Sequence, residues 1–256
     1  MTDLIDVWDG AFLGNLASVP SSVQAIIGYV SGPDAYHIWD PDDALAVVNS
    51  HRRFWAIDVP PQRAFVAQDG ITAANRMHAA LSAYPVDKYT PCFMDIEYDA
   101  YTQNKQGAID AAHAFTMRMF QLNHTRAFGY LPAEAGIDWG SRFTYQRPTS
   151  LPTGMVGLQY ENDKYAHKGW DASVFDARLF STPDSDGWSL SDMNYAVIIR
   201  RLANNKIYRL NLLDGTCNHL PNPAAVSACE ADLRAANIPF TTDSVNDISA
   251  YTEVGT

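Results

Sequence analysis

Short apolar runs alternate with helix-forming stretches through the first half of this chain, and that alternation limits the fold more than any other feature. Leu4 to Trp8, Ile26 to Val30, Phe54 to Val59, Pro91 to Glu97 and Arg126 to Leu131 read as strands, several of them closed by turn-forming residues such as Asp9-Gly10, Ser31-Gly32-Pro33 and Pro60-Pro61. Between them lie helical signals. Ser21 to Ala25 reads as a short helix. Asp40-Pro41-Asp42-Asp43 opens a second, with a capping carboxylate, proline at the first helical position and acids in the first turn, and it runs to about Ser50. Asp69 opens a third, through Ala73, Met77, Ala80, Leu81 and Tyr84, and Pro85 stops it. From Gln106 to Asn123 the residues Ile109, Ala112, Phe115, Met119 and Leu122 recur at helical spacings of three and four.

The rhythm then changes. Arg142 to Arg147, Met155 to Tyr160 and Trp170 to Phe175 read as three more strands, with too little chain between them for full helices. The expected class is α/β: a closed (β/α)8-type, TIM-like barrel of five β/α units followed by three strands, its outer ring incomplete. An open doubly wound sheet is the alternative, but no GxGxxG or Walker-type loop supports a nucleotide site. Near Ser181 to Gly187 the chain turns polar and turn-prone, which reads as a linker. Beyond it, Tyr195 to Arg201 and Lys206 to Leu213 alternate as strands around Asn204-Asn205, Thr216 to Leu220 follows Asp214-Gly215, and Asn222-Pro223 opens a helix ending near Asn237. The division expected is a barrel over 1–181, a linker over 182–193, and a small β-β-β-α accessory module over 194–256.

Charge and composition remove whole classes of function. With 18 Lys and Arg against 29 Asp and Glu, the net charge of −11 argues against wrapping a nucleic acid or docking on anionic lipid. It leaves a neutral glycan open, and the 13 Tyr and 6 Trp suit stacking on sugar rings as well as filling a core. Cys92, Cys217 and Cys229 are sparse and odd in number, which reads as reduced thiols, with a Cys217–Cys229 bridge left open. The seven His show no HxxxH or HExxH spacing, so neither a metal nor any other cofactor is expected, and no Gly-x-Ser-x-Gly marks a serine hydrolase. No apolar run approaches the ~18 residues of a membrane span. Met1 to Asp6 lacks the basic and apolar regions of a signal peptide, so synthesis in the cytoplasm is expected, with delivery by another route if the protein acts outside.

The chemistry concentrates at Asp95-Ile96-Glu97, where an apolar run ends in two acids. On one strand these two carboxylates would point to the same face. Two acids at the end of a buried strand need partners, or a pocket in which a shifted pKa is useful. One reading is an acid/base pair at the mouth of an α/β core; the other is an exposed strand end with charges running into the next loop.

In their order the features of residues 3–180 resemble the glycoside hydrolase family 25-like barrels, the lysozyme-type wall hydrolases of phages and actinobacteria, and more closely a divergent branch of them. The resemblance rests on Asp6-Val7 and Asp9 at strand one, Gly28-Tyr29-Val30-Ser31-Gly32 at strand two, Asp95-Ile96-Glu97 at strand four, Gln159-Tyr160 at strand seven and Trp170-Asp171 at strand eight. It departs at Asp6-Val7-Trp8-Asp9-Gly10, where the family usually has Asp-Val-Ser, and in lacking a Trp before Gln159. What it implies is an acid-lined cleft at the C-terminal mouth of the barrel. Glu97 would be the general acid that protonates the glycosidic oxygen. Asp95 would stabilise the charged intermediate, in part through the substrate's acetamido group. Asp6 or Asp9, with Asp9 nearer the strand's C-terminal end, and Asp171 would complete the ring. Such chemistry needs one carboxyl kept neutral and another ionised. Tyr29, Tyr98, Tyr130 and Tyr160, with Gln159 and Trp170, are the candidate substrate contacts, and Asp58 either faces the mouth or serves a local turn.

Two functions lead, with another retaining or inverting glycosidase acting on a different glycan as a weaker third. One is a peptidoglycan-directed muramidase-like enzyme, a lysin or a wall-degrading part of a phage particle, whose partner is bacterial cell-wall glycan. The other is a non-catalytic virion or minor tail protein that carries a glycosidase-like barrel and touches other virion proteins through its C-terminal module. The acidic charge does nothing to draw the protein to an anionic wall, which favours delivery by a particle.

Overall fold

The computed structural model describes residues 1–7, 16–35, 37–162, 170–180, 197–202, 204–211, 216–235, 240–243 and 252–253. Eight strands close into a barrel in sequence order: β1 (Thr2–Val7), β2 (Val23–Ser31), β3 (Arg53–Asp58), β4 (Cys92–Asp95), β5 (Ala127–Pro132), β6 (Asp138–Ser141), β7 (Met155–Glu161) and β8 (Trp170–Phe175). Neighbours are parallel from β1 to β7, whereas β8 runs antiparallel to both β7 and β1. This reversal brings the start of β8 to the same end of the barrel as the finish of the other seven strands.

Four helices cover part of the outside: α1 (Pro41–Asn49) after β2, α2 (Ala67–Leu81) after β3, and α3 (Tyr98–Gln103) with α4 (Lys105–Gln121) after β4. The start of α1 is the one its sequence predicts, with Asp40 accepting from the Asp42 N–H at 2.9 Å and Pro41 in the first turn. Helices α2 and α4 pack closely because they meet at small residues. A side chain at Gly70 would place its Cβ 1.9 Å from the Ala111 carbonyl oxygen. Strand alternation sorts the barrel into two layers. Ile5, Val7, Ile26, Met94 and Leu131 face outward onto Met77, Ala112 and Phe115, while Leu4, Ile27, Trp55, Phe93, Phe128, Trp139 and Phe175 fill the inside. Edge-on contacts of Trp55 with Phe175 (5.2 Å, 87°) and of Phe93 with Trp139 (5.0 Å, 70°) plug the barrel with rings.

Several boundaries differ from those expected. Val23 to Ala25 belong to β2; the short helix before it is a 3-10 turn at Leu16–Ser18. The sixth strand is Asp138–Ser141, not Arg142 to Arg147. A 3-10 turn at Ala133–Ala135 and left-handed Gly136 (φ 72°) return the chain to β5, where the Gly129 N–H donates to Asp138 Oδ2 at 2.8 Å and Trp139 enters the barrel. Arg142 to Arg147 are exposed; Tyr145 is left-handed (φ 54°), and the N–H groups of Arg142 and Tyr145 donate to the carbonyls of Gln159 and Tyr160, each at 2.9 Å.

In the tail, β9 (Val197–Arg201), β10 (Ile207–Asn211) and β11 (Thr216–Leu220) form the expected antiparallel meander, followed by α5 (Pro223–Ala235), whose start is capped by Asn222 accepting from Ala225 N–H at 2.9 Å. Two strands beyond those expected join it in parallel pairings, β12 (Phe240–Asp243) beside β9 and β13 (Thr252–Glu253) beside β11, giving a five-stranded sheet. The expected linker over 182–193 lies outside the described residues. Arg200 of β9 meets Asp110 of α4 in a buried ion pair of 2.6 Å. All three cysteines are buried free thiols, so Cys217 and Cys229 are not bridged.

Candidate active site

Four acids converge at one end of the barrel, each brought there by the geometry of its strand. Leu4 faces inward on β1, so Asp6, two residues on, faces inward at the strand's finish; Phe93 places Asp95 on β4 in the same way. On β8 the inward series is Phe175, Ser173 and Asp171, and the antiparallel register sets Asp171 directly across from Asp6. Glu97 departs from its expected place. The strand ends at Asp95, so Asp95 and Glu97 do not share a strand face. Glu97 is instead the residue before α3, in extended backbone (φ −68°, ψ 157°), exposed at the rim above the buried Asp95.

The electrostatics of this end are one-sided. Asp6 and Asp95 are almost wholly buried, and one carboxylate oxygen of each, Oδ1, has no hydrogen-bond partner among the described residues. Burial, then the charges of Asp171 and Glu97, push the Asp6 carboxyl well above the usual range, against a backbone N–H from Val7 that lowers it. Burial, then Glu97, Asp6 and Asp58, do the same to Asp95. Glu97 is raised by partial desolvation within the concave rim and by Asp99. Tyr29 and Tyr130 stand among these acids, both phenols held protonated by burial and by the surrounding negative charge. Gln159 donates from Nε2 to Asp171 Oδ2 at 3.0 Å and to Asn162 Oδ1 at 3.1 Å. The buried Gln159 Oε1 and Ser173 Oγ are unpartnered among the described residues.

Other candidates lie elsewhere. Trp170 and Tyr160 are each one residue out of phase with an inward-facing neighbour, Asp171 and Gln159, so strand alternation turns them outward. Trp170 is fully buried in the outer core and Tyr160 is packed with Leu158, Ala172 and Val174, which leaves neither a face for a sugar. Tyr98 is exposed beside Glu97. Asp9 lies outside the described residues, and Asp6 is the strand-one acid seen in the cluster. Asp58 is turned away from the mouth: it accepts from Ser31 Oγ at 2.5 Å and from Arg76 Nε and Nη2 at 2.8 and 2.5 Å.

Gln62 was not singled out by the sequence. Its side-chain amide accepts from the Glu97 N–H at 3.0 Å through Oε1 and donates through Nε2 to the carbonyls of Asp95 (3.0 Å) and Pro60 (3.1 Å). It thus straddles Asp95-Ile96-Glu97 and fixes the step from buried to exposed acid. Its only signal is the Pro60-Pro61 turn before it, which gives no hint of a contact 35 residues away. Among the described residues no group of three or more His, Cys, Asp or Glu side chains is arranged to hold a metal, and no helix is long and apolar enough to cross a membrane.

No protein-family model and no curated protein matches the chain. Solved structures do. An uncharacterized protein of B. stearothermophilus superposes with a TM-score of 0.57 at 14% identity, over 70% of this chain and 98% of that one. The modular autolysin LytC of Streptococcus pneumoniae, solved with a synthetic peptidoglycan ligand, gives 0.51 at 12% identity over 68% of this chain and 47% of its own. A family GH25 lysozyme of Aspergillus fumigatus gives 0.50 at 16% identity, over 71% and 99%. At these identities the likeness is one of fold: the chain carries a GH25-like barrel.

Proposed function

We propose that this protein is a cell-wall glycosidase that cleaves peptidoglycan at the acidic mouth of its barrel. The observation that carries the reading is the convergence of Asp6, Asp95, Glu97 and Asp171 on one end, where the buried Oδ1 atoms of Asp6 and Asp95 have no hydrogen-bond partner among the described residues. A framework has no use for such a cluster, since unpaired buried carboxylates cost stability. A glycosidase does, because neighbouring acids hold one another's protons. Glu97, exposed and raised, is the proton donor to the glycosidic oxygen. Asp95, beneath it, faces the positive charge that develops on the sugar; that charge favours its ionised form at the moment it is needed. Asp171 is oriented by Gln159, and Asp6 keeps the field negative. Tyr29 and Tyr130 wall the cleft, and Tyr98 offers its ring at the rim. The fold shared with a lysozyme and with an autolysin solved on a peptidoglycan ligand supports the substrate class.

In this reading the barrel, residues 1–181, is the working part. The C-terminal sheet serves attachment, at the wall or within a particle, and is held against α4 by the Arg200–Asp110 pair. The deciding experiment is release of reducing sugar from purified peptidoglycan. Wild type releases it and Glu97→Gln does not; a wild type that leaves the polymer intact transfers the protein to the non-catalytic, glycan-binding or scaffold class.

A further inference from the structure

Glu97 is not held by the strand that leads to it. β4 ends at Asp95, and the chain then steps from the buried acid to the rim. Behind Glu97, the Ile96 N–H donates to the Tyr130 carbonyl of β5 at 2.9 Å. Ahead of it, the Glu97 carbonyl accepts from Tyr101 N–H at 2.9 Å and opens α3. Two more polar groups of the step, the Asp95 carbonyl and the Glu97 N–H, go to one side chain, the amide of Gln62, each at 3.0 Å.

Gln62 is itself fixed from behind. Its backbone N–H donates to Asp34 Oδ2 at 2.8 Å, and its Nε2 also reaches the Pro60 carbonyl at 3.1 Å. The two fixed φ angles of Pro60-Pro61 stiffen the arm that carries it. Asp34 belongs to the loop after β2, which is tied to the loop after β3 by Asp34 N–H to the Val59 carbonyl (3.4 Å) and Val59 N–H to the Ser31 carbonyl (3.0 Å). Gly32 permits that approach: its backbone is left-handed (φ 117°), and a Cβ there would collide with the Val59 carbonyl. Three successive loops at the mouth, after β2, β3 and β4, are thereby joined in the order Asp34, Gln62, Glu97.

Loop stability alone does not call for this arrangement. An N–H at an exposed helix start is met by water as readily. A side-chain amide, however, accepts from one peptide N–H and donates to a neighbouring carbonyl at once, so Gln62 grips the two peptides on either side of Ile96. We propose, resting on the hydrolase reading above, that Gln62 is a positioning residue of the reaction: it holds the Glu97 backbone so that the carboxyl stands above Asp95 and reaches the glycosidic oxygen, with Asp34 steadying Gln62. Displacing a reacting group by about 1 Å can cost about 10²-fold in rate. Gln62 is uncharged, so its removal changes no charge at the mouth. The titratable groups facing Glu97 are Asp95, Asp6, Tyr29 and Tyr130 from the barrel and Asp99 from α3. All remain in place when Gln62 is replaced. A Glu97 released into solvent loses the desolvation that raises it, so its pKa falls towards that of an ordinary glutamate.

Gln62→Met, close in size and without the amide, is the test. Peptidoglycan turnover is followed across pH, and Glu97 is titrated directly by carbon-13 NMR of labelled glutamate carboxyls in the full chain, its signal assigned with Glu97→Gln. Gln62→Met should lower kcat about 10- to 100-fold with KM nearly unchanged, and should move both the alkaline limb and the Glu97 titration to lower pH. Asp34→Ala should do the same more weakly. Gln62→Glu adds a negative charge beside Glu97 and should move the titration to higher pH. Arg63→Gln, one residue on and exposed, should leave all three readouts at wild type. A merely structural Gln62 would lower the melting temperature while the folded protein kept its kcat and its Glu97 titration, and that result overturns the proposal. A wild type inactive on peptidoglycan removes the hydrolase reading instead. The NMR titration then decides the positioning alone: a Glu97 that titrates as in wild type in folded Gln62→Met overturns it, and one shifted to lower pH upholds it.

Discussion

Asp58 and Asp95 end adjacent strands of one barrel, both sealed from solvent at 0% and 2% exposure, and the fold treats them in opposite ways. Asp58 is surrounded by donors, a hydroxyl from Ser31 on β2 and the fork of Arg76 on α2. Asp95 has Glu97 and Asp6 as neighbours and an oxygen with no partner among the described residues. A buried carboxylate is tolerated when paired and hydrogen-bonded and is costly when it is not. The first acid is therefore framework. The second is kept in spite of its cost, as the proposed glycosidase would require of it. Asp110 with Arg200 repeats the first pattern and Asp6 beside Asp171 the second.

The sharpest way to break that contrast is at the rim. Glu97→Gln should lower peptidoglycan turnover by roughly 10²- to 10⁴-fold, the range of a lost general acid, while thermal unfolding stays where it was, because the side chain is exposed. Its pH behaviour is equally specific. Glu97 is raised in part by Asp99, so it holds its proton above the usual glutamate range and activity falls as pH rises through that raised pKa. Asp99→Asn removes one cause of the shift and should move the alkaline limb of the rate profile to lower pH. An unmoved limb separates Glu97 from the proton transfer.

At Asp58 the expected loss is of stability alone. Asp58→Ala leaves Arg76 without its carboxylate partner and Ser31 without an acceptor, and removing one member of a buried pair costs about 3–5 kcal/mol. Arg76 is 29% exposed and regains some hydration, so the lower end of that range is expected in denaturant titration. Any glycosidase activity should survive in the folded fraction. A specific loss of turnover without loss of stability would put Asp58 in the site and erase the contrast.

Asp95→Asn should do the reverse. An acid whose folded pKa is raised binds its proton more readily in the native state. Between the unfolded value near 4 and the raised folded value, the native state therefore carries more protons than the unfolded one, and stability falls as pH rises. Asp6 and Asp95 both contribute, as does Asp138, which desolvation pushes up to about 7. Asp95→Asn removes one of these contributions. It should raise the melting temperature at pH 7 and converge with wild type toward pH 4, and a gap that widens on acidification would show that the carboxylate is compensated after all.

How far the sequence discloses this contrast follows from what each residue's position depends on. Asp95 was legible because it ends an apolar run whose alternation is local; Asp171 and the strand-one acid, left open between Asp6 and Asp9, came with the family resemblance, and the eight-strand barrel was legible because most of its strands are strongly apolar. Strand β6 was not: Asp-Trp-Gly-Ser has poor strand propensity, and it is held by pairing with β5 and β7 and by Trp139 inside the barrel. The alternating Arg142 to Arg147 looked the better strand and is an exposed loop. Trp170 and Tyr160 stand one step of the pleat from Asp171 and Gln159, and one step reverses a side chain's face. Gln62 and Arg76 act across long separations in sequence, and nothing local marks them. The edge strands β12 and β13 are short and found only by their partners.

The smallest effect is expected where the rim meets solvent. Tyr98 follows Glu97 directly, is 57% exposed and packs into neither layer of the core. If it presents its ring to a sugar, Tyr98→Ala removes a contact of about 0.5–1.5 kcal/mol, which is roughly a two- to ten-fold rise in KM with kcat nearly unchanged, the pattern of lost uniform binding. Trp170 provides the opposing case. It is as aromatic and as near an acid in sequence, but it is fully buried in the outer core, so Trp170→Phe should lower stability and leave KM alone. Steady-state kinetics and melting curves of the two variants together test whether exposure at the mouth, and not aromatic character, decides which ring touches substrate. A KM effect at Trp170 with none at Tyr98 would mean that the glycan lies along a different face of the barrel from the one its acids define.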